Sequence, residues 1–225
     1  MPVRVIQHHR RAAPARGGAT SPKVTWEIAQ MKKRALGILL LGLALAAPSA
    51  WAATYQVDKD HSTIGFKIRH LFSNVQGRFT DYTGTFTFVP EHPEGWTAEA
   101  TIQAASINTG VEKRDAHLQS KDFYDVAAFP VITFKTTQIT DVTPESAVLH
   151  GVLTMHGVEK PVVLDVQIHG EGKDPWGNVR SGFTATTTIN RKDFGLTWNE
   201  TLETGRLLVG DEVQITLEIE GIAAP

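Results

Sequence analysis

The sequence predicts an all-β fold for residues 53–225, with about eight antiparallel strands and one short helix, and three observations support this prediction. Apolar side chains recur at every second position through most of this region, which is the period of a strand with one buried face. Turn-forming residues separate these apolar runs, and helical periodicity is nearly absent. We therefore expect the strands to bury one face each in a shared core.

Residues 31–52 are predicted to be a cleaved export signal. Met31 to Arg34 form a basic start, Ala35 to Ala47 form a thirteen-residue apolar run, and Ala50 to Ala52 fit an A-x-A cleavage site. The apolar run is shorter than the roughly 18 residues of a membrane-spanning helix, so no integral membrane span is expected after cleavage. Residues 1–30 make an unusually long lead-in, which predicts a translation start at Met31 or a disordered N-terminal extension.

The composition of the chain limits the number of domains and the kinds of partner and site that it can have. Cleavage after Ala52 leaves residues 53–225, which is enough for one domain, in the periplasm or outside the cell. This part holds 14 Lys and Arg against 23 Asp and Glu, a formal net charge of −9. Such an acidic surface argues against nucleic acid and anionic membrane surfaces as partners. Because the chain has no cysteine, disulfides and thiolate metal sites are excluded.

The eight predicted strands follow one another in chain order, each with apolar side chains of one parity. They are Ile64 to Ile68, Tyr82 to Phe88, Trp96 to Ile102, Ile132 to Phe134, Leu149 to Met155, Val162 to Ile168, Phe183 to Ile189 and Val213 to Ile219. Residues 157–161 are predicted to form the turn between the fifth and sixth of them. This pattern fits a sandwich or a closed barrel equally. Glycines inside strands favour the barrel, because closure needs kinks, and they are Gly65, Gly84, Gly151 and Gly182.

One segment departs from the strand pattern. Glu112 to Gln119 consists of good helix formers and is predicted to be a short surface helix that covers an end of the barrel. The connection that follows carries Phe123, Tyr124 and Phe129. We expect these rings to plug the core, since aromatic side chains are usually buried, and an entrance lining is the alternative.

The motifs of the common catalytic and metal sites are missing from the sequence. There is no G-x-S-x-G turn, and His61 and Ser62 are neighbours whose side chains would point to opposite faces of a strand. The seven histidines after residue 52 lack H-x-H and H-E-x-x-H spacing, and the calcium-loop pattern beginning at Asp58 fails at Thr63 and Arg69. Phosphate-binding glycine loops are also missing. We therefore predict no catalytic residue, no metal and no cofactor.

A few polar side chains are candidates for contact with the head group of a ligand. His70 shares the parity of the inward residues Ile64, Phe66 and Ile68, so a regular strand would place it inside at the strand's end. The alternative is a turn that leaves His70 in water. Arg114, Arg191 and Asp193 are the other candidates, and surface ion pairs are the alternative for them.

Several short motifs occur together and in order along the chain. They are Asp58 to Ser62, His70-Leu71, Val75 to Phe79, Ser106 to Thr109, Arg114-Asp115 with His117-Leu118, Asp122 to Asp125, Phe129-Pro130, Gly151 to Thr154 and Ile189 to Gly195. Through them, the region from Thr54 to Glu220 resembles the YceI-like family of polyisoprenoid-binding periplasmic proteins.

The resemblance implies a lipocalin-like antiparallel barrel whose interior is an elongated apolar pore for an isoprenoid or another long amphiphile. It also implies a protein without a catalytic constellation, and a homodimer is common among such proteins. The first hypothesis is a carrier or reservoir for this lipid that acts in envelope stress. The residues predicted to line the pore are Ile64, Phe66, Ile68, Phe86, Phe88, Phe134, Leu153, Leu164 and Phe183. A secreted enzyme acting on lipid or cell-wall material, and a solid-cored interaction module without a ligand, remain alternatives. The sequence leaves open whether the pore is open or filled by its own side chains.

Overall fold

The computed structural model describes residues 53–224, which form eleven strands and one α-helix. The strands are β1 (Ala53–Val57), β2 (Thr63–His70), β3 (Ser73–Phe79), β4 (Tyr82–Phe88), β5 (Thr97–Gln103), β6 (Ile107–Asn108), β7 (Val131–Thr140), β8 (Ser146–Met155), β9 (Val158–Lys173), β10 (Val179–Asn190) and β11 (Val209–Ala223). Helix α1 (Glu112–Gln119) has the predicted bounds. Short 3₁₀ turns occupy residues Pro93–Gly95, Ala104–Ser106 and Arg191–Phe194.

The eleven strands fill eight positions of a closed antiparallel barrel. Three positions hold two strands in succession, because β1 continues into β2, β3 into β4, and β5 into β6. Strand β11 pairs with β10 on one edge and with β2 and then β1 on the other. This second pairing closes the barrel, so no long strand edge is left unpaired. The prediction of an antiparallel barrel of about eight strands with one short helix is confirmed.

The three interrupted positions are joined by hydrogen bonds at their breaks. The backbone N of Thr80 donates to the carbonyl of Ser106 at 3.1 Å, and the Ser106 hydroxyl donates to the carbonyl of Asp81 at 3.4 Å. Lys59 Nζ lies 2.8 Å from a carboxylate oxygen of Asp81. The two bonds of Ser106 give partners to backbone groups of Thr80 and Asp81 at the break between β3 and β4.

The predicted turn at residues 157–161 is wrong in extent. Strands β8 and β9 are joined by only His156 and Gly157, and Val158 already pairs with Met155. Both turn residues have positive φ, 52° for His156 and 74° for Gly157, as a type I′ hairpin turn requires. Pro161 therefore lies inside β9, opposite Val152.

The barrel has two distinct ends. The end called here the helix end carries α1, the β2–β3 and β8–β9 turns, and the connection from Arg191 to Leu208. The other end, called the closed end, carries residues 89–96, 141–145 and 174–178. At the closed end Tyr55, Phe86, Phe88, Trp96 and Ala147 form a buried cluster. The Tyr55 and Phe86 rings stack at 4.9 Å, and those of Phe88 and Trp96 lie 4.8 Å apart, so aromatic packing fills this end.

Within residues 53–224 no helix has the length and apolar content needed to cross a bilayer. The predicted export signal at 31–52 and the doubtful extension at 1–30 lie outside the described residues.

Candidate functional site

The inward faces of the strands enclose a cavity of about 440 Å³. Its lining includes every side chain predicted for the pore, from strands on both sides of the barrel. They are Ile64, Phe66, Ile68, Phe86, Phe88, Phe134, Leu153, Leu164 and Phe183. Val213, Ile215, Leu217 and Ile219 of β11 complete this wall. The volume falls in the range of about 300–1,000 Å³ that is usual for small-molecule sites.

Three phenylalanine rings lie against glycines of other strands. A Cβ atom placed on any of these glycines would overlap the ring, so each ring lies over bare backbone at the barrel wall. The pairs are Phe66 with Gly77, Phe134 with Gly151, and Phe86 with Gly221. Because the rings lie against the wall, less of the interior is filled. Of the glycines expected to assist closure, Gly151 thus has a defined partner, and Gly182 lies at a register shift between β9 and β10.

Aromatic residues from the connections surround the cavity at the helix end. The His117 ring meets Phe123 edge-on at 5.1 Å and Trp198 edge-on at 5.0 Å, and Phe123 and Trp198 are 5.0 Å apart. These three residues line the cavity, and the His117 side chain is 43% exposed. A partly exposed side chain therefore lies beside the cavity at the helix end. His117 Nε2 lies 2.8 Å from Asp122 Oδ2, which fixes the imidazole.

The three rings predicted as core plugs have different positions. Phe123 is buried and Tyr124 is half-buried, and both line the cavity, so they act as plugs and as lining at once. Burial raises the pKa of Tyr124 to about 12. Phe129 instead packs on the β8–β9 turn, with its ring 4.6 Å from that of His156.

Arg114 is positioned by the residues that precede α1. Its Nε donates to Thr109 Oγ1 at 2.7 Å and its Nη2 donates to the Thr109 carbonyl at 3.0 Å. Asp115 accepts from the backbone N of Thr109 at 2.9 Å, which ties the first turn of the helix to the same residue. The half-buried Arg114 side chain lines the cavity.

Arg191 is a buried side chain, in contrast to the alternative of a surface ion pair. It is 3% exposed, and its guanidinium donates to three carbonyls. Nε bonds to Gly210 at 2.9 Å, and Nη1 bonds to Leu196 at 2.6 Å and to Trp198 at 2.8 Å. Arg191 therefore holds the segment after β10 against the start of β11, while it also lines the cavity.

The other two polar candidates, His70 and Asp193, differ in position. His70 is the last residue of β2, is half-buried and lines the cavity, as its parity predicts. Asp193 is exposed on the 3₁₀ turn and is not part of the lining. Sequence reasoning missed His117 and Trp198 as lining residues, because both lie outside the strands and no periodic pattern marks their direction.

One cluster in the described part of the chain has metal-ligand residue types. Donor atoms of Asp58, His61 and Glu220 lie within 4.8 Å of one another. Arg180 donates to both of these carboxylates and, at 2.8 Å, to Asp174. The guanidinium already occupies the position where a cation would neutralise these acids, so this arrangement is an ion-pair network between β1, β10 and β11.

Comparison with known proteins identifies the family of this barrel. The family model described as a YceI-like domain matches residues 55–221. The chain belongs to the YceI-like family.

Relatives and solved structures agree with the YceI-like assignment. A protein named UPF0312 from Pseudomonas savastanoi pv. phaseolicola is 44% identical over 170 residues, covering 74% of this chain and 88% of that protein. The YCEI protein of Campylobacter jejuni is 35% identical with a TM-score of 0.62, covering 75% and 96% of the two chains. A polyisoprenoid binding domain from Saccharophagus degradans is 16% identical with a TM-score of 0.57, covering 77% and 99%, and shares the fold.

Proposed function

We propose that this YceI-like protein holds a long-chain isoprenoid, or a similar amphiphilic lipid, in its barrel as a carrier or reservoir. The observation that carries this proposal is the apolar cavity, which extends from the aromatic cluster at the closed end to the partly exposed side chains at the helix end. Family membership supports it, as does the shared fold of the Saccharophagus degradans domain, which is named for polyisoprenoid binding.

The energetics favour a ligand with a long apolar tail. Each buried methylene-sized group contributes roughly 0.8 kcal/mol, so one five-carbon isoprene unit contributes about 4 kcal/mol gross. Association costs of about 4 to 15 kcal/mol oppose this, so a few units are enough for net binding. Selectivity would then follow the length and shape of the tail.

The proposed role is non-catalytic. An enzyme acting on lipid or cell-wall material would need His70, Arg191 and Asp193 to converge, whereas Asp193 is exposed and outside the lining. A solid-cored interaction module would need an interior filled by side chains, which a cavity of about 440 Å³ disfavours. We further propose that the signal at 31–52 exports the protein and that it acts in the periplasm. After cleavage it would have no membrane span, and we expect no nucleic-acid partner.

The decisive experiment is organic extraction of the natively purified protein, followed by mass spectrometry. We expect a lipid with a long isoprenoid or alkyl tail, bound at close to one molecule per barrel. An empty extract, together with failure of the stripped protein to bind an added polyprenol, would overturn the proposal.

A pair of neighbouring substitutions compares the inner and outer faces of β10. Ala185 is 3% exposed and faces the cavity, while Thr186 is exposed on the outer face of the same strand. Ala185→Phe should reduce lipid retention at least about tenfold, because the new ring displaces part of a tail in which one isoprene unit is worth about 4 kcal/mol. Thr186→Phe should retain the lipid at the wild-type level.

A further inference from the structure

The charges of residues 53–225 are unevenly distributed along the chain. Residues 61–80, which include β2 and β3, hold Lys67, Arg69 and Arg78 and no Asp or Glu, although 53–225 as a whole carries a net charge of −9. The three bases alternate with residues that line the cavity, so their side chains point outward from the barrel. The β2–β3 hairpin, Thr63–Phe79, is therefore a surface with a net charge of +3 on an acidic protein, and it is called here the basic hairpin.

The bases of this hairpin have no acidic partner within residues 53–224. The ion pairs formed there by lysine and arginine use other side chains, namely Lys59, Lys135, Arg180, Arg191 and Lys192. The outward neighbours of the basic hairpin in the ladder are uncharged, and they include Asn74, Gln76, Gln214 and Thr216. The flanking segments carry acids again, at Glu200, Glu203, Glu212 and Glu218. The positive charges are thus confined to the hairpin and are available to a partner of opposite charge.

The turn of the basic hairpin presents an aromatic ring to solvent. Phe72 is 84% exposed, and the residue before it, Leu71, has a φ of 49°, which is strained for a residue other than glycine. Two bonds hold this turn. The backbone N of Leu71 donates to the carbonyl of Leu208 at 2.9 Å, and Arg69 Nε donates to the carbonyl of Leu71 at 3.2 Å. Leu207, next to Leu208, is also exposed, so Phe72 and Leu207 form an apolar tip at the helix end.

Exposed apolar side chains beside unpaired bases are the features by which peripheral proteins bind anionic bilayers. A ring at a turn can enter the interface between head groups and acyl chains, whereas a protein partner would need a pocket shaped for it. The Debye length is about 8 Å at physiological ionic strength, so acids on distant strands are screened from a surface that the hairpin touches. The net charge of −9 therefore does not prevent local attraction.

We propose that the basic hairpin binds the surface of an anionic lipid bilayer, with the apolar tip in the interface and the three bases against the lipid phosphates. His70 and Leu208, which adjoin the tip, also line the cavity, so docking would bring the wall of the barrel interior next to the bilayer. The proposal goes beyond the proposed lipid-binding function and is independent of it, because docking requires no molecule inside the barrel.

Co-sedimentation with lipid vesicles tests the docking. The natively purified protein is mixed with vesicles of phosphatidylglycerol and phosphatidylethanolamine in equal amounts, and separately with vesicles of phosphatidylcholine alone. We expect binding to the anionic vesicles to be at least about tenfold tighter than binding to the neutral ones, because three bases lie against the charged surface. This preference should decrease as the salt concentration is raised.

Two double variants with the same change in net charge locate the electrostatic contact. Lys67→Gln combined with Arg69→Gln should weaken binding to the anionic vesicles at least about tenfold, since each base near such a surface contributes a factor of about five. Lys160→Gln combined with Lys173→Gln removes two exposed bases of β9, which β10 and β11 separate from β2. This second double variant should bind like the wild type.

A pair of aromatic substitutions tests the apolar tip. Phe72→Ala should weaken binding to the anionic vesicles at least about tenfold, because the ring no longer leaves water for the interface. Trp176→Ala removes a ring that is 82% exposed at the β9–β10 turn of the closed end, and it should leave binding unchanged. Both rings are almost fully exposed, so neither change should disturb the fold.

Several outcomes would overturn the docking proposal while leaving lipid binding in the barrel to its own test by extraction. They are equal losses within either pair of variants, equal binding to the anionic and the neutral vesicles, and no binding of the wild type to either. A dimer in sedimentation equilibrium that Phe72→Ala dissociates, without vesicle binding, would show that a second copy of the chain covers this surface instead.

Discussion

At the scale of single residues, the shape of the interior depends on where glycine stands opposite phenylalanine. Phe66 would meet a side chain at position 77, and Phe134 would meet one at position 151, if these positions were not glycine. Phenylalanine at an inward position was readable from parity alone. The glycine that receives each ring lies on another strand, and its role depends on which residues the barrel brings together.

Gly151→Ala tests this arrangement. The added Cβ would overlap the Phe134 ring and lie 2.8 Å from the carbonyl oxygen of Lys135, so the ring must move into the cavity. We expect the free energy of unfolding to fall by about 1–3 kcal/mol, measured by denaturant titration. Gly172→Ala is the control, because a Cβ on Gly172 meets nothing within 4 Å, and it should be neutral or slightly stabilising. Equal losses in both variants would contradict this account.

Arg191 is the residue whose sequence context suggested least about its role. Arg191→Met removes three bonds to carbonyls and leaves Asp211 without its buried partner, so we expect a loss of about 3–5 kcal/mol of unfolding free energy. Faster amide hydrogen exchange in residues 195–199 should accompany it. Lys192→Met removes an exposed bond to the same Asp211 and should cost less than about 1 kcal/mol. Comparable losses of unfolding free energy in the two variants would contradict this structural role of Arg191.

At the scale of elements, closure of the barrel depends on a short contact. Strands β1 and β11 pair through only three residues each, from Tyr55 to Val57 and from Gly221 to Ala223. Arg180 reinforces this contact by bonding Asp58 after β1, Glu220 of β11 and Asp174 before β10. The ion-pair network therefore acts on the seam where the first and last strands meet.

The network makes stability depend on acidic pH. Hydrogen bonds from Arg180 lower the pKa of Asp58 and of Asp174 below their ordinary values. A carboxyl group with a lowered folded-state pKa stabilises the protein above its unfolded pKa of about 3.9, and this contribution is lost as pH falls toward the folded pKa. In Arg180→Gln the unfolding free energy at neutral pH should be lower, and its decrease below about pH 4 should be shallower. Chemical denaturation from about pH 7 to about pH 3 measures both.

Lys59→Gln is the control for this seam. Lys59 pairs with Asp81 through side chains that are 45% and 59% exposed, so its loss should leave the acid dependence unchanged. A pH profile of Arg180→Gln parallel to that of the wild type would contradict the role of the network.

At the scale of the whole molecule, the three tyrosines of the chain all lie in the barrel. Desolvation by burial is the largest cause of a raised pKa at Tyr55, Tyr82 and Tyr124, and at Tyr55 a bond to Glu171 adds to it. The folded protein therefore favours the neutral, protonated form of each tyrosine hydroxyl. Stability from this source is complete below the unfolded pKa of about 10 and is lost as pH rises through the folded pKa.

Alkaline titration should therefore report global unfolding. We expect little phenolate absorbance from the native protein at about pH 10, and a cooperative rise at higher pH that coincides with loss of the far-ultraviolet circular dichroism signal. Phenolate formation near pH 10 while the barrel remains folded would contradict the burial of these hydroxyl groups.

The elements were predictable to different degrees for physical reasons. The run from Glu112 to Gln119 is helical because of its own side chains, so the bounds of α1 followed from the sequence. The turn after Met155 was placed too far along, since Pro161 reads as a turn residue although it lies within a strand of the barrel. The division of three positions into β1–β2, β3–β4 and β5–β6 depends on bonds such as that from Thr80 to Ser106, which join distant residues.

The sequence alone determined which side chains face inward, because alternation along a strand is a local property of the backbone. Ile64, Phe66 and Ile68 were assigned to the interior on that basis, and they line it. Only the tertiary structure decided that the interior is a cavity, since free volume depends on how rings from one strand lie on the glycines of another. It also decided that Arg191 and Trp198 line the same cavity as Arg114, because connections between strands have no period that would reveal their direction.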